Sequence, residues 1–406
     1  MGKFALFAVT GLELEYAVVD DDMRPQCLVE DAFRAAHGRP TSDVEYRHVG
    51  FSNELAAHVF ETKTLNPERS LVEAETHLLE GLSYFTGLLR DRFGARLMPG
   101  GMHPFMTPAD TRLWERSGRE IYAAYASIFD IHQHGWLNVQ SCHVNLPFGR
   151  SETDTVLLHN AVASLLPYLP AIAASSAVFE GRLGPCVDNR LQFYKTNQRE
   201  IPEISGAVVP ELILSLGQYR EQILKPIYRA LRRVRGAERL RHEWVNSRGA
   251  ILRFQRSAIE LRVLDVQECV RMDVAIAAFV RGALKWMVEA LRTGSLVLPD
   301  YSMLVSDYGR VVRDGRDARV DARHIGDGSM SERRAADVLG LLLQRARAYT
   351  PEPERVYLDF VADRLARGSV SEMMRARLRG RAARSRIRDA YEELIECLEA
   401  NRPWRG

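Results

Sequence analysis

Two glutamates stand two residues apart inside an apolar run near the start of the chain. The segment is GLELEYAVVD, and Glu13 and Glu15 alternate in it with leucine and tyrosine. Alternation with a period of two predicts a β-strand, on which side chains two residues apart point to the same face. Such a strand must pair with neighbours while it directs two carboxylates to one side. This alternation constrains the fold more than any other feature of the sequence.

The same alternation recurs in two later segments. QSCHVNLPF places His143 and Asn145 on one face of a predicted strand, and IELRVLD does the same for Glu260 and Arg262. A single strand of this kind is more often the solvated face of an antiparallel sheet. The repetition favours strands that bring carboxylate, imidazole and guanidinium groups to one shared site. The neighbouring Cys142 is expected on the opposite face and is predicted to be structural.

A fourth segment with acidic residues, ELAAHVFETKTL, is predicted as one long strand over residues 54–65. The spacing between Glu54 and Glu61 is odd, so a bulge or strong twist is needed if both carboxylates face the same side. The residues after it predict a helix with Asn66 as its N-cap and Gly94 at its end.

Strands and helices alternate along the first half of the chain, which is compatible with a parallel α/β fold or with an α+β fold. The predicted hairpin over residues 249–268 and the polar face of the strands favour an α+β fold, with an antiparallel sheet and helices behind it. Residues 300–406 are predicted as almost purely helical. Further predicted strands cover residues 95–105 and 136–148, and further predicted helices cover residues 108–130, 152–180, 210–236 and 272–291.

The length of 406 residues suggests two or three domains, or one large domain with an appendage, at about 100–200 residues per domain. We predict a catalytic domain over residues 1–295 and a helical region over residues 296–406. The net charge of +2 gives no reason to expect nucleic acid or a membrane surface as a partner. The five cysteines include no CxxC pair, and no long apolar segment or leader is evident, which predicts a cytoplasmic protein.

Several carboxylates in one pocket cannot all be ionised without cations nearby. Hard divalent metals meet this need, and oxygen ligands with an occasional histidine suit Mg²⁺ or Mn²⁺. A Mg²⁺ site of several carboxylates with basic side chains close by is typical of proteins that handle the phosphates of ATP. The sequence lacks the P-loop, the GxGxxG and HExxH patterns and the GxSxG elbow, so other common ways of binding nucleotides or cleaving amides are not indicated.

The segments GLELEY, NELAAHVFETKT, GMHPF, QSCHVNLPF and IELRVLD, in this order, resemble the glutamate–cysteine ligase type 2 family of carboxylate–amine ligases. The resemblance covers about residues 5–290. It implies a fold similar to the catalytic domain of glutamine synthetase, an antiparallel sheet curved into a funnel and backed by helices. Members of the family use ATP to phosphorylate a carboxylate, usually the γ-carboxylate of glutamate. An amine then displaces the phosphate and forms an amide.

The resemblance also implies roles for individual residues. Arg262 would stabilise the transferring phosphoryl group, and Glu260 would act beside it in catalysis. The implied metal ligands are Glu13, Glu15, Glu54, Glu61, His143 and Glu260. The predicted substrate-binding residues are Arg190, Tyr194, Asn197 and Gln140, and the predicted nucleotide-binding residues are Arg253, Asn145 and Lys63.

The loop GPCVDNRLQFYKTNQ lies where relatives carry a segment that contacts substrate. Arg190 is the predicted fork for a substrate carboxylate, and the alternative is a solvated basic loop. The preceding SSAVFEG and the VDNR within the loop depart from the common pattern of the family. The departure leaves the amine substrate open, cysteine included.

Three alternatives to the ligase hypothesis follow from the same cluster: a metal-dependent amide hydrolase, a kinase, and a non-catalytic relative that only binds ATP. The expected partners are a small-molecule carboxylate and an amine, and a peptide substrate also stays open. The segment RARLRGRAARSRIR, residues 375–388, is predicted to be a solvated helix face rather than a docking patch for nucleic acid or a leader peptide. The amphipathic helix after it is a candidate contact in a homo-oligomer.

Overall fold

The structure is a computed structural model, and it describes residues 3–116, 118–325, 332–379 and 383–406. Its centre is one antiparallel sheet of eight strands in the order β2-β3-β4-β1-β6-β10-β9, with β5 also paired to β1. The strands of this sheet are β1 (Gly11–Val19), β2 (Asp43–Tyr46), β3 (Val49–Asn53), β4 (Val59–Thr64), β5 (Arg96–Met98), β6 (Ser141–Pro147), β9 (Ala250–Arg253) and β10 (Ala258–Asp265). Two short ladders stand apart, β7 (Val178–Phe179) with β8 (Arg182–Leu183), and β11 (Arg319–Val320) with β12 (Arg333–Arg334).

Helices surround the sheet. The α-helices are α1 (Val29–His37), α2 (Leu71–Phe93), α3 (Arg119–Ala126), α4 (His134–Leu137), α5 (Glu152–Leu165), α6 (Pro170–Ala173), α7 (Asn189–Tyr194), α8 (Leu216–Tyr219), α9 (Lys225–Leu231), α10 (Val270–Thr293), α11 (Tyr301–Asp314), α12 (Ala335–Tyr349), α13 (Arg355–Arg367), α14 (Val370–Arg377) and α15 (Arg384–Glu399). Single turns of 3₁₀-helix lie at Pro108–Asp110, Leu166–Tyr168, Ala237–Leu240, Glu243–Val245, Gly315–Asp317 and Glu352–Glu354, and a π-turn lies at Arg220–Leu224.

The two faces of the sheet have opposite characters. Leu12, Leu14 and Tyr16 of β1 are fully buried on one face, against the helical layer that contains α2, α5 and α10. The glutamates that alternate with them point to the other face. The predicted α+β fold, with an antiparallel sheet backed by helices, is therefore confirmed.

The predicted strand over residues 54–65 is wrong in its first half. β3 ends at Asn53, the chain turns, and β4 begins at Val59, so that Asn53 pairs with Phe60. The connection is held by the side chain of His58, whose Nδ1 lies 2.8 Å from the hydroxyl of Thr111. Because Glu54 lies in this turn, no bulge is needed to bring it to the same side of the sheet as Glu61.

The predicted cap of α2 is also wrong. Ser70 caps the helix, because its hydroxyl accepts hydrogen bonds from the backbone N–H groups of Val72 and Glu73. The predicted end at Gly94 is confirmed, and its φ of 61° is the left-handed conformation that glycine adopts without strain.

Four of the predicted elements are shorter than expected. The helix predicted over residues 152–180 ends at Leu165, because Pro167 and Pro170 cannot donate the backbone hydrogen bonds that would continue it. The strand predicted to begin at Trp136 begins at Ser141, after the short helix α4. Of residues 108–130 only Pro108–Asp110 and Arg119–Ala126 are helical, and the first helix after residue 210 begins at Leu216.

The hairpin predicted over residues 249–268 is confirmed as β9 and β10, and the helix predicted over residues 272–291 is confirmed as α10. α10 packs against α12 and α13 of the C-terminal region, where the buried side chains of Arg281 and Glu354 form an ion pair. One apolar cluster includes residues on both sides of the predicted domain boundary, which remains a prediction.

Among the described residues, no helix is long and apolar enough to cross a membrane. Part of the Arg-rich segment, residues 380–382, lies outside the described residues.

Candidate active site

Four neighbouring strands of the sheet carry the acidic cluster. In the register of the sheet, Glu13 of β1 lies between Lys63 of β4 and His143 of β6. Glu15 pairs with Glu61 in the same way. Side chains directly opposite each other on one face of an antiparallel pair are in contact range. The pairing of β1 with β4 and β6 therefore converts the alternation seen in the sequence into a cluster.

A cavity of about 490 Å³ opens over this face of the sheet. All six predicted metal ligands line it: Glu13, Glu15, Glu54, Glu61, His143 and Glu260. Five carboxylates and one imidazole thus converge from β1, β4, β6, β10 and the turn after β3. Cys142 points to the opposite face, where it is buried in the core.

Two groups of these side chains have the spacing of a metal site. Glu13, Glu61 and His143 form one group, and Glu15, Glu54 and Glu61 form the other. Within each group the ligand atoms lie within 4.8 Å of one another. The donors are mainly carboxylate oxygens, which suits Mg²⁺ or Mn²⁺. Glu61 belongs to both groups, so it is the residue that would bridge two ions.

Burial and mutual repulsion disturb the protonation of this cluster. The pKa of Glu61 is raised to about 7, first by burial and then by the charge of Glu13. The pKa of Glu54 is raised well above its usual value by burial and by the charges of Glu15 and Glu61. The site therefore disfavours the ionised forms of Glu54 and Glu61. Bound cations would offset this cost, as they do in a metal site built from carboxylates.

Glu13 shows the opposite shift. Burial acts to raise its pKa, but the hydrogen bond from His143 and the charges of His143, Arg256 and Lys63 lower it. His143 is the matching partner: burial acts to lower its pKa, and the hydrogen bond to Glu13 together with the charge of Glu15 raises it. The Nδ1 atom of His143 lies 3.1 Å from a carboxylate oxygen of Glu13.

Basic side chains neutralise the carboxylates in this structure. The Nζ atom of Lys63 lies 2.7 Å from Glu61, and the guanidinium of Arg256 lies 3.0 Å from Glu13. A third carboxylate, Glu260, is almost fully buried between two arginines. It forms ion pairs with Arg253 and with the Nε atom of Arg262, the latter at 2.9 Å. Glu260 therefore holds Arg253 and Arg262 at the cavity wall.

Hydroxyl and amide groups fix the orientation of the carboxylates. Ser141 donates its backbone N–H and its hydroxyl to Glu15, at 2.7 and 2.8 Å. The hydroxyl of Ser52 donates to Glu61 at 2.9 Å. Sequence reasoning missed both serines. Ser141 precedes His143 by two residues on β6, so the same alternation that revealed His143 also marks Ser141.

Arg190 lines the cavity, but its guanidinium is already engaged. Its Nε atom donates to the buried carboxylate of Asp265, and both Nη atoms lie 3.4 Å from the backbone carbonyl oxygen of Arg262. A bulge interrupts the pairing of β10 with β6 between Leu261 and Leu264. Arg190 therefore supports the irregular part of β10 from which Arg262 reaches the cavity.

The other predicted binding residues are distributed over three places. Tyr194, Asn197 and Arg253 line the cavity over the acidic cluster. Asn145 and Lys63 line a second cavity, described next. Gln140 is fully buried outside the lining of both cavities, and its side-chain amide has no hydrogen-bond partner among the described residues.

The second cavity has a volume of about 560 Å³ and shares Glu13 and Arg256 with the first. It lies at the start of β1, where Lys3 and Phe4 also contribute to its wall. The acidic cluster is thus reached from two adjoining spaces, which meet at the Glu13–Arg256 ion pair.

An aromatic wall faces the acidic cluster across the first cavity. It consists of Tyr122 and Tyr125 of α3 together with Trp136 and Trp244. The ring centroids of Tyr125 and Trp136 are 5.2 Å apart, and the hydroxyl of Tyr122 accepts a hydrogen bond from Asn53 at 3.0 Å. Sequence reasoning missed this wall, because its members come from three separate segments without a common pattern.

The sequence matches the profile of the glutamate-cysteine ligase family 2 (GCS2) over residues 9–393. The chain belongs to this family. The GCS2 chain is also 36% identical, over 96% of its own length and 98% of the other, to an uncharacterized protein of Archaeoglobus fulgidus. The family supports the coarse assignment of the protein as a carboxylate–amine ligase.

Two solved structures resemble the fold of this GCS2 chain. One is the glutamate–cysteine ligase of Francisella tularensis in complex with AMP, with a TM-score of 0.63, 12% identity and coverage of 97% of this chain and 89% of that one. The other is a bifunctional glutathione synthetase from Pasteurella multocida, with a TM-score of 0.58 and 13% identity. The match covers 96% of this chain but only about half (52%) of the glutathione synthetase chain. At these identities the likeness concerns the fold.

Proposed function

We propose that this protein is an ATP- and Mg²⁺-dependent ligase that phosphorylates a carboxylate and then joins it to an amine. The observation that carries the proposal is the cluster of five glutamates and one histidine in the first cavity, where Lys63, Arg253, Arg256 and Arg262 form ion pairs with members of the cluster. Such a set can hold divalent cations on one side and phosphate oxygens on the other. The γ-carboxylate of glutamate is the proposed acceptor of the phosphoryl group, and Mn²⁺ is a suitable replacement for Mg²⁺.

The residues fit the two steps of this reaction. In the first step an oxygen of the carboxylate bonds to the γ-phosphorus of ATP, and the bond to ADP breaks. In the second step the amine nitrogen bonds to the acyl carbon, the bond to phosphate breaks, and the amine loses a proton. Bound divalent cations would neutralise phosphate charge and bridge it to the glutamates. Arg253, Arg256 and Arg262 now contact glutamates, and they are the donors that can turn to phosphoryl oxygens once the glutamates hold cations.

The two adjoining cavities suggest how the substrates are arranged. The nucleotide is proposed to occupy the second cavity, where Lys63, Asn145 and Arg256 can contact its phosphates. The carboxylate and the amine are proposed to occupy the first cavity, between the acidic cluster and the aromatic wall. Amines with an apolar body fit the aromatic wall better than ammonia does, and cysteine is one amine among those to be tested.

The test is phosphate release from Mg²⁺–ATP by the purified protein, with glutamate alone, with glutamate and each amino acid, and with glutamate and a set of simple amines. The expected result is phosphate release that requires both a carboxylate and an amine, together with the mass of their amide. Glu260→Gln should lower this rate by about 100-fold or more. Glu238→Gln is the matched control, because Glu238 is exposed and lines neither cavity.

Three results would count against the ligase. Hydrolysis of candidate amides with Mn²⁺ and no ATP would identify an amide hydrolase. A phosphorylated product without an amide would identify a kinase. Tight binding of Mg²⁺–ATP without turnover in any mixture would identify a protein that only binds the nucleotide.

A further inference from the structure

A third cavity lies in the C-terminal region, away from the acidic cluster. Its volume is about 760 Å³, and six arginines line it: Arg316, Arg367, Arg375, Arg377, Arg379 and Arg405. We call it the arginine cavity. Its acidic lining residues are only three, Asp314, Asp317 and Glu372. The proposed ligase reaction uses none of these residues.

The acidic residues of the arginine cavity already have partners. Glu372 accepts hydrogen bonds from the backbone N–H and hydroxyl of Ser369 and from the backbone N–H of Arg316. Asp314 pairs with Arg313 at 2.6 Å, and Asp317 lies 3.7 Å from Arg334. Neither Arg313 nor Arg334 lines the cavity. The six arginines outnumber the three acidic residues, so the lining of the cavity is positively charged overall.

Backbone carbonyl oxygens orient two of the arginines. Arg375 donates to the carbonyl oxygens of Gly184 and Cys186, at 2.7 and 3.1 Å. Arg316 donates to the carbonyl oxygens of Leu365 and Ala366, at 3.1 and 2.7 Å, and its Nε atom also lies 4.0 Å from the carboxylate of Glu372. A carbonyl oxygen positions a guanidinium without cancelling its charge, so these two side chains are held in place and remain cationic.

Two further arginines have no partner among the described residues. Arg379 and Arg405 are exposed, and neither forms an ion pair or a side-chain hydrogen bond with any other residue of the described ranges. Arg367 and Arg377 differ, because they pair with Asp363 and Glu393. The cavity thus offers two oriented and two unpaired guanidinium groups.

We propose that the arginine cavity binds a compact anion that carries two or more phosphate groups. Guanidinium groups match phosphate oxygens with paired hydrogen bonds. The volume exceeds what a single phosphate fills, which favours a ligand with several anionic groups. No aromatic ring lines the described part of the cavity, so it offers no surface on which a nucleotide base could stack. This proposal is independent of the proposed ligase activity.

The test is calorimetric titration of the whole protein with pyrophosphate in metal-free buffer at physiological ionic strength. Omitting divalent metal keeps the phosphate probe from being held by cations at the acidic cluster. The expected result is saturable binding by the wild type. The double variant Arg379→Gln/Arg405→Gln should weaken binding about tenfold or more, because it removes two charged hydrogen-bond donors. Both positions are exposed, so the variant should fold normally.

The matched control is Arg232→Gln/Arg233→Gln, which makes the same change in net charge at two exposed arginines outside the cavity. It should bind pyrophosphate as the wild type does, and Arg379→Lys/Arg405→Lys should retain part of the affinity. Tripolyphosphate should bind more tightly than orthophosphate. An equal loss in both glutamine variants would mean general electrostatic attraction and would overturn the proposal. No binding by the wild type, or wild-type binding by the Arg379→Gln/Arg405→Gln variant, would overturn it as well.

Discussion

Arg190 and Asp265 form an ion pair that is almost completely removed from solvent, with side chains 3% and 0% exposed. Arg190 lines the first cavity, and the pair leaves only its Nη atoms to face the carbonyl of Arg262. A substrate carboxylate would have to compete with Asp265 for this arginine. The structure therefore favours a positioning role for Arg190 over the predicted role in substrate binding, which remains a prediction.

Asp265→Asn should destabilise the protein by about 3–5 kcal/mol, because it leaves the charge of Arg190 buried without a counter-charge. The free energy of unfolding from urea titration measures this effect. The control is Asp363→Asn, which breaks the exposed pair with Arg367 and should cost about 1 kcal/mol or less. Equal effects of the two substitutions would contradict a buried, uncompensated charge in the variant.

Ser141→Ala should lower the apparent affinity for Mg²⁺ about 10–100-fold, because Glu15 loses the hydroxyl hydrogen bond that orients it. The backbone N–H of residue 141 still reaches Glu15, so the fold should be retained. The measurement is the Mg²⁺ dependence of phosphate release. Ser42→Ala, in a loop outside the cavity, is the control and should leave that dependence unchanged.

Glu54→Gln should raise the melting temperature of the metal-free protein and lower the further rise caused by Mn²⁺. The carboxylate of Glu54 has no hydrogen-bond partner among the described residues, and its ionised form is opposed by burial and by Glu15 and Glu61. A neutral amide relieves that repulsion but is a weaker ligand. Thermal unfolding with and without Mn²⁺ measures both effects.

Glu61→Gln should abolish more of the Mn²⁺-dependent stabilisation than Glu54→Gln, because Glu61 belongs to both candidate metal groups. Glu238→Gln serves again as the control. An undiminished response to Mn²⁺ in the Glu61 variant would mean that the ion binds elsewhere.

Buried histidines should make the protein less stable in mild acid. Burial lowers the pKa of His58 and His103 to about 3, and that of His159 and His324 to about 4. In the unfolded chain each pKa returns to about 6.5. The unfolded state then binds more protons, so the contribution of these histidines to stability is complete above pH 6.5 and is lost progressively as the pH falls towards 3. Urea titrations at pH 7.5 and pH 5 measure this loss.

His159→Gln should reduce the proton uptake on unfolding near pH 5 by about one proton. The Nε2 atom of His159 lies 2.9 Å from the carbonyl oxygen of Glu211, which the amide of glutamine can replace as a donor. His37→Gln is the control, since His37 is exposed at the end of α1. A variant with the same pH dependence as the wild type would exclude His159 as a source of acid sensitivity.

The parts of the fold that depend on local pattern could be predicted from the sequence. The alternation around Glu13 identified β1, the polar break between two apolar runs identified β9 and β10, and Gly94 marked the end of α2. The turn after Asn53 could not be predicted, because the apolar residues around Ala56 fit a strand as well as a buried turn. The pairing of β3 with β4, a tertiary contact, determines that this segment is a turn.

The candidate site was likewise predictable where it depends on local pattern, and not where it depends on tertiary contacts. The six acidic and histidine positions follow from repeated alternation and from the family resemblance, and all six line one cavity. The engagement of Arg190 could not be predicted, because Asp265 is 75 residues away in the chain. Ser52, which orients Glu61, depends on the register between β3 and β4, which no single segment reveals.

The central sheet is completed long after its central strand, β1, has been synthesised. β1 lies in the middle of the sheet, yet one of its partners, β6, begins at Ser141, and β9 and β10 at the far edge begin at Ala250 and Ala258. At about 5–20 residues per second a ribosome needs roughly ten seconds or more to add the residues between β1 and β10. Arg96 of β5 forms an ion pair with Glu392, which is synthesised 296 residues later. The sheet therefore stays incomplete until β10 has been synthesised, and we expect the chain to fold slowly and to depend on chaperones.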